Sequence, residues 1–164
     1  MSESNPYSRF LDGRPLEAIL DSTATAIAEY LKTVSPQRAA IPPAPGRWSA
    51  SEIVCHLADC ELVFGFRLRQ TLAEDSPTIQ PFDQDKWAAA YPGFTADLAF
   101  ATFTALRSWN LRLITAALPT AANRPVTHPE RGTMTFLTLV ETMAGHDLNH
   151  LAQLDKLTTA PSVA

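Results

Sequence analysis

Apolar residues recur at intervals of three and four along four long stretches of the chain that contain few prolines. That spacing places them on one side of an α-helix, and no segment shows the convincing alternation expected of a strand. Four amphipathic helices of about 20 to 25 residues predict an all-α four-helix bundle. Because the proline-rich connections between the helices are long, the bundle can contain crossover connections and need not follow a simple up-down order.

The first two predicted helices have recognisable ends. The first begins at Pro15, a favourable residue for a first helical turn, and it ends before Ser35. The second has the clearest start in the chain, because the segment from Ser49 to Glu52 matches a capping box. This helix is predicted to end near Glu74, in a segment that leads into a proline.

The second half of the chain contains the other two predicted long helices. A short helix capped by Asp83 is expected in the connection that precedes them. The third long helix is predicted to start at Thr95 and to stop before Pro119, since proline disfavours a helix interior. The fourth is predicted to start near Thr133 or Thr135.

Length and composition are those of one globular domain, residues 1–164, with its core in about residues 15–157. The net charge is −4 and no segment concentrates basic residues, which argues against nucleic acid as a partner. The sequence shows no signal-peptide pattern and no membrane-spanning stretch, so a cytoplasmic location is expected. Cys55 and Cys60 are separated by about 500° of helical rotation, so they are expected to remain unpaired and reduced.

Three of the four histidines lie on the apolar sides of predicted helices. His146 and His150 are four residues apart on the fourth helix and therefore share one side, and His56 lies on the second helix. Burying an unpaired imidazole costs about 1–3 kcal/mol, which a shared metal ion would offset. Three neutral nitrogen ligands would also leave a coordination position open, as catalytic sites do. His128, in the connection 128–132, is predicted to be a surface residue.

Spacing alone leaves other interpretations open. An H-x-x-x-H pair without a neighbouring glutamate often occurs by chance, and Asp147 after the first histidine fits a zinc protease poorly. Cys60 shares the side of His56, so its thiolate could close a four-ligand structural site, although a small core residue is the simpler interpretation. Other polar residues that flank the histidines are candidate outer contacts of the ligands, although a solvated position on the helix flank is the simpler interpretation for each one: Asp59, Asp147, Asn149 and Gln153.

Three residues are candidates for contact with a substrate or for proton transfer. Asn110 interrupts the apolar side of the third helix, so we expect its amide to face the same cavity as the histidines. Arg67 is predicted either to bind an anionic substrate group or to extend its charge into solvent. Asp59, one turn from His56, is the candidate general base when it is not an outer contact of that histidine.

Several segments together resemble the DinB/YfiT-like superfamily over most of the chain. The segment PGRWS (45–49), followed by Glu52 and HLAD (56–59), resembles the first signature of this superfamily. Later segments are similar to further signatures: PFDQDKWAAAY (81–91), HPERGTMT (128–135) and GHDLNHLAQL (145–154). No single motif is decisive, and their order and separation carry the resemblance.

The resemblance implies a four-helix bundle, often dimeric, with a divalent metal ion held by His56, His146 and His150. Zinc or nickel is the expected ion, and iron or copper also suits a site of three imidazoles. Members of the family include thiol-dependent S-transferases and isomerases that use low-molecular-weight thiols such as bacillithiol or mycothiol, and metal-dependent hydrolases. The leading hypothesis is therefore a metal-dependent enzyme, an S-transferase or a hydrolase, acting on a small molecule.

Two hypotheses from other classes compete with this one. The chain could be a non-catalytic bundle, stress-associated or scaffolding, in which a structural ion has Cys60 as its fourth ligand. It could also be a small-molecule binding protein with an apolar pocket inside the bundle. A homodimer is expected from the resemblance alone.

Overall fold

Four long helices form the body of the protein in the computed structural model, which describes residues 5–159. The long helices are α1 (Leu16–Thr33), α3 (Ala50–Ala73), α5 (Ala96–Ala121) and α6 (Phe136–Thr159). Two short helices lie in the connections, α2 (Pro36–Ala39) and α4 (Gln84–Ala88). The predicted all-α four-helix bundle is confirmed.

Local capping explains where the helices begin. Ser49 accepts a hydrogen bond from the backbone N–H of Glu52, and the Glu52 carboxylate accepts one from the backbone N–H of Ser49, which completes the predicted capping box. Asp83 caps α4 and Thr95 caps α5 in the same way. The hydroxyl of Thr135 accepts from the backbone N–H at the third position of α6, so the later of the two predicted starts is the observed one.

Helix α5 does not stop before Pro119, and that prediction is wrong. The helix continues to Ala121 with the proline inside its last turn. Proline lacks the N–H that would bond to the carbonyl four residues earlier and its ring crowds that carbonyl, but only two helical residues follow Pro119, so little of the helix lies beyond the disturbance. Ala121 is buried, which favours continuation of the helix to that residue.

A short antiparallel hairpin, which the sequence did not predict, precedes α6. Strand β1 (Pro125–His128) pairs with β2 (Gly132–Thr135), with Val126 opposite Met134. The expectation of no strand is therefore wrong, because four-residue strands are too short to establish an alternating pattern. Gly132 at the turn has a φ of 77°, which a residue without a Cβ adopts readily.

The long helices are not packed in sequence order. Helix α1 packs against α5 and α6, and α3 packs against the same two helices, so α1 and α3 lie diagonally across the bundle. This agrees with the expectation that the long connections allow crossovers. As a result α3 and α6, which contain the three candidate ligands, are neighbours.

Across residues 5–159, no helix combines the length and the apolar character that crossing a membrane requires.

Candidate metal centre

The three histidines predicted as ligands meet inside the bundle. The Nε2 atom of His146 is 3.0 Å from that of His56 and 3.1 Å from that of His150. The four-residue step on α6 places His146 and His150 on one side of the helix, and α3 brings His56 to them. All three side chains are buried. One ligand atom from each histidine lies within 4.8 Å of the others, so the group is able to hold a metal ion.

The chemistry of these nitrogen atoms fits a divalent cation. Each neutral imidazole nitrogen carries either one proton or one lone pair, so a hydrogen bond between two rings needs one of each. His146 Nε2 faces two such nitrogens at once, and a single lone pair or proton serves two partners poorly. A tetrahedral ion with nitrogen ligands at about 2.0–2.1 Å would separate them by about 3.3 Å, close to the observed spacing.

Burial keeps the three imidazoles neutral. Removal from water lowers the pKa of His56 to about 3, with a further contribution from His150. The same effect lowers the pKa of His150 to about 4. Burial also lowers the pKa of His146 well below its ordinary value. The lone pairs are therefore available to a metal ion at neutral pH, without prior loss of a proton.

Gln153 supplies the predicted outer contact of one histidine. Its Oε1 lies 3.1 Å from His150 Nδ1, so a proton on Nδ1 donates to this oxygen and leaves the Nε2 lone pair free. A contact of this kind selects the tautomer and the ring orientation of a metal ligand. Asn149, another predicted outer contact, lines a different cavity together with Gln153.

Aromatic rings enclose the histidines on two sides. The Trp48 ring lies 4.7 Å from the ring of His56, measured between centroids, and the Tyr7 ring lies edge-on to His146 at 5.1 Å. Tyr7 reaches this place because Gly145 precedes His146: a Cβ at Gly145 would lie 2.5 Å from the Tyr7 backbone oxygen. Sequence reasoning missed Tyr7, since nothing in the pattern near residue 7 shows where that segment packs.

Cys60 lies beside the histidines, as its position one turn after His56 predicts. Its Sγ is 3.5 Å from His56 Nε2 and 3.8 Å from His146 Nε2. Burial raises the pKa of this thiol, so it is protonated in the chain without a bound ion. Coordination to a metal ion would deprotonate it.

Asp59 has another partner. Its carboxylate accepts a hydrogen bond of 2.8 Å from the hydroxyl of Tyr91, and burial raises its pKa. Its predicted contact with His56 is not among the hydrogen bonds of the described residues. The role of Asp59 as a base stays a prediction.

Asn110 and Asp147 belong to a separate buried ionic network. Arg107 donates to Glu61 Oε1 at 2.7 Å and to Asp147 Oδ2 at 2.6 Å. Asn110 donates to the Glu61 carboxylate at 2.9 Å and accepts from Arg69 at 2.8 Å. The amide expected in the histidine cavity is thus satisfied elsewhere, and Asp147 is an ion-pair partner rather than an outer contact of a histidine.

Sequence reasoning also missed Arg107 and Glu61, the two charged residues at the centre of this network. A usable signal was present, because Arg107 lies three residues before Asn110 and shares its side of α5. A charge at such a position predicts a buried partner.

A cavity of about 330 Å³ borders the histidines. His56, His146 and Cys60 line it, and so does Arg67, which is buried between the rings of Phe64 and Phe82. Extension of Arg67 into solvent, one of its two predicted outcomes, does not occur because its Nη2 donates to the Gln80 carbonyl at 2.6 Å.

His128 also lines this cavity, and its prediction as a surface residue is wrong. It is only 4% exposed, because the hairpin turns the end of β1 towards the bundle. Its Nδ1 accepts a hydrogen bond from the backbone N–H of Glu130.

Comparison with known proteins identifies the family of this chain. The sequence profile of the DinB superfamily matches residues 19–154. The chain belongs to the DinB superfamily. This confirms the resemblance on which the ligand prediction partly depends.

Similar proteins agree with this membership. The DinB-superfamily chain is 28% identical over 113 residues to an Oceanobacillus iheyensis protein named "putative metal-dependent hydrolase", covering 68% of this chain and 66% of that protein. A Bacillus mycoides protein of the same description is 22% identical over 139 residues, or 84% of this chain and 80% of that protein. The solved structure of YfiT from Bacillus subtilis matches with a TM-score of 0.80 at 19% identity, covering 87% of this chain and 83% of YfiT. YfiT is described as "a probable metal-dependent hydrolase with an unusual four-helix bundle topology".

Proposed function

We propose that this protein is a metal-dependent hydrolase of small molecules, with a divalent ion held by His56, His146 and His150. The observation that carries the proposal is the convergence of three buried Nε2 atoms, with His56 and His146 lining the adjoining cavity. The relatives named as metal-dependent hydrolases support the same reaction class. Zinc or nickel is proposed, and iron or copper also suits this donor set.

The chain's own residues would prepare the site in three ways. The histidines are neutral at physiological pH, and Gln153 orients the ring of His150. Phe64 and Phe82 line the cavity and limit its water content. A divalent ion bound at the triad supplies Lewis-acid chemistry, either polarising a substrate oxygen or lowering the pKa of a bound water.

Metal analysis of untagged protein tests the first step. We expect about one divalent ion per chain in the wild type and close to none in His150→Ala, since each ligand contributes directly to the site. His128→Gln is the matched control for metal content, because it changes a buried histidine that is outside the triad. A wild type that folds but binds none of zinc, nickel, iron and copper would overturn the proposal.

Hydrolysis is tested with a panel of small esters and amides. The wild type should lose activity on chelation and recover it on addition of the metal, while His150→Ala should remain inactive throughout.

Transfer of a low-molecular-weight thiol, which the family resemblance also implies, stays a prediction. Product analysis with and without added thiol distinguishes transfer from hydrolysis, and sedimentation velocity checks the predicted homodimer.

A structural ion is the second candidate, and the position of Cys60 favours it. A tetrahedral site with sulfur at about 2.3 Å would separate this atom from a nitrogen ligand by about 3.5 Å, near the observed 3.5 and 3.8 Å. A thiolate in the fourth position would leave no place for substrate.

Cys60→Ala distinguishes the two candidates. The hydrolase proposal predicts retained metal and retained activity, whereas a closed structural site predicts loss of the metal and a sharp fall in melting temperature. Cys55→Ala is the matched control, since it removes another buried thiol of α3. Its loss of stability measures the packing contribution of a cysteine at this depth.

A further inference from the structure

Two arginines and a histidine line the cavity beside the triad without a carboxylate partner. They are Arg67, Arg131 and His128. Among residues 5–159, no carboxylate oxygen lies within 4.0 Å of either guanidinium group, in contrast to Arg107, which pairs with two carboxylates. The exposed Glu130 also borders the cavity, but it lies beyond ion-pair distance. The cavity therefore has an excess of positive charge.

Arg67 is held in place with unused donor capacity. Its side chain is only 7% exposed, its guanidinium lies about 6 Å from the rings of Phe64 and Phe82, and Nη2 donates to the Gln80 carbonyl. Its Nε is buried and has no hydrogen-bond partner among the described residues. A buried donor on a charged group that lacks a partner is costly, so such a group indicates a ligand.

The β1–β2 hairpin supplies the other two groups. His128 ends β1, and Arg131 follows in the turn, where its backbone N–H donates to the His128 carbonyl. Because His128 Nδ1 accepts from the Glu130 backbone, the neutral ring carries its proton on Nε2 and offers a further donor. Arg67, Arg131 and His128 line the same cavity, and burial together with the charges of Arg131 and Arg67 lowers the pKa of His128.

We propose that Arg67, Arg131 and His128 form an oxyanion subsite that binds a carboxylate or phosphate group of the substrate. The planar guanidinium group matches both anions, and an anion here would relieve the repulsion between the two arginines. The inference deepens and rests on the proposed function, since it narrows the substrate class to small anionic molecules. A cavity of about 330 Å³ has the size of a small-ligand site.

The experiment measures binding of two simple anions, acetate and inorganic phosphate, to the full-length chain. The arginine Nε–H resonances of ¹⁵N-labelled protein are followed during each titration, in the zinc-loaded and the chelator-treated form. Sodium chloride is the ionic-strength control. The Arg67 resonance is identified by its absence in Arg67→Met. Isothermal titration calorimetry, which does not depend on that resonance, measures the affinities of the wild type, Arg67→Met, Arg131→Met and Arg124→Met.

We expect at least one anion to shift the Arg67 resonance saturably in both forms of the protein. Arg67→Met and Arg131→Met should each weaken binding about tenfold, since each removes a charge-assisted hydrogen bond. Arg124→Met should bind like the wild type: Arg124 also donates to backbone carbonyls, but it does not line the cavity. A preference for acetate indicates carboxylate substrates, and a preference for phosphate indicates phosphorylated ones.

Two results would overturn the subsite: no saturable shift with either anion, or equal affinity in the wild type, Arg67→Met and Arg131→Met. If the anions bind only to the zinc ion, the arginine variants will bind them as tightly as the wild type does, which is the second of these results. If the subsite binds anions but the untreated wild type contains no divalent ion and takes none up, the hydrolase proposal fails and the subsite survives. If metal content and activity are as proposed and the arginine variants bind anions normally, only the subsite fails.

Discussion

The histidine triad and the ionic network around Arg107 are two buried polar clusters that use neighbouring residues of the same helix. They differ in whether the hydrogen-bond donors and acceptors within the cluster match. In the ionic network, Arg107 bridges the carboxylates of Glu61 and Asp147, and the donors and acceptors match. In the triad, three neutral nitrogens converge, and within residues 5–159 no cationic side chain is hydrogen-bonded to them. The difference separates a cluster that holds helices together from one that is arranged for a ligand.

The two clusters are separated by the angle between successive residues of a helix. His146 and Asp147 are adjacent in α6, and about 100° of helical rotation sends one to the triad and the other to Arg107. The carboxylate that follows the first histidine is therefore part of the scaffold. Cys60 and Glu61 are likewise adjacent in α3: Cys60 lies beside the triad, and Glu61 belongs to the ionic network.

Acidification should produce the largest effect, and it should act on the triad. The pKa of His56 is about 3 and that of His150 about 4 in the folded chain, against 6.5 when unfolded. Between these values the unfolded chain binds more protons than the folded chain. The free energy of unfolding is therefore highest above about pH 6.5 and falls towards pH 4, by up to about 1.4 kcal/mol per pH unit for each histidine. Urea unfolding of chelator-treated protein measures this slope.

A variant of the triad tests whether that pH dependence comes from its histidines. His150→Gln should reduce the pH dependence by the share of one histidine, because glutamine does not titrate. A free energy of unfolding that is the same at about pH 7 and about pH 5 would contradict the burial of neutral imidazoles.

Removing the cation of the network is the next largest perturbation. Arg107→Met should cost about 3–5 kcal/mol of unfolding free energy, because Glu61 and Asp147 would be left buried without a counter-charge. Arg112→Met, at an exposed position of the same helix, should change stability by less than about 0.5 kcal/mol. Similar losses in the two variants would show that the network is not the stabilising cluster.

The outer contact of the triad can be tested separately. Gln153→Met should lower metal affinity by about 10- to 100-fold, since it removes the oxygen that selects the His150 tautomer. Stability of the metal-free chain should change little, and Asn149→Met serves as the control on the same helix. Competition with a chromogenic chelator measures the affinities, and unchanged affinity in Gln153→Met would remove this contact from the site.

A smaller effect is expected at the edge of the network. Thr23 donates to Asp147 Oδ2 at 2.8 Å, so Thr23→Val should cost about 1 kcal/mol of stability. Metal affinity should not change, because Thr23 contacts the network and not the triad. Thermal unfolding and metal competition on one preparation check both statements, and a fall in metal affinity would show that the two clusters are coupled.

Much of the fold could be predicted because its signals are local. The capping box at Ser49, the caps at Asp83 and Thr95 and the apolar spacing of the long helices all depend on residues within a few positions of each other. The prediction at Pro119 is wrong because a proline in the last turn can be accommodated when only two helical residues follow it. The hairpin was missed because its pairing becomes visible only once two short strands meet.

The sequence by itself determined the helices, their caps and, through the four-residue step, that His146 and His150 share a side. His56 was predicted as the third ligand from its place on the apolar side of the second helix, and the family resemblance strengthened that prediction. Only the tertiary structure decided that Asn110 pairs with Glu61, that His128 is buried and that Arg67 faces the cavity without a carboxylate partner. Helices that are distant in sequence pack with a particular relative rotation, and that rotation decides which buried polar groups come within hydrogen-bond distance of each other. The sequence of one helix does not contain this information.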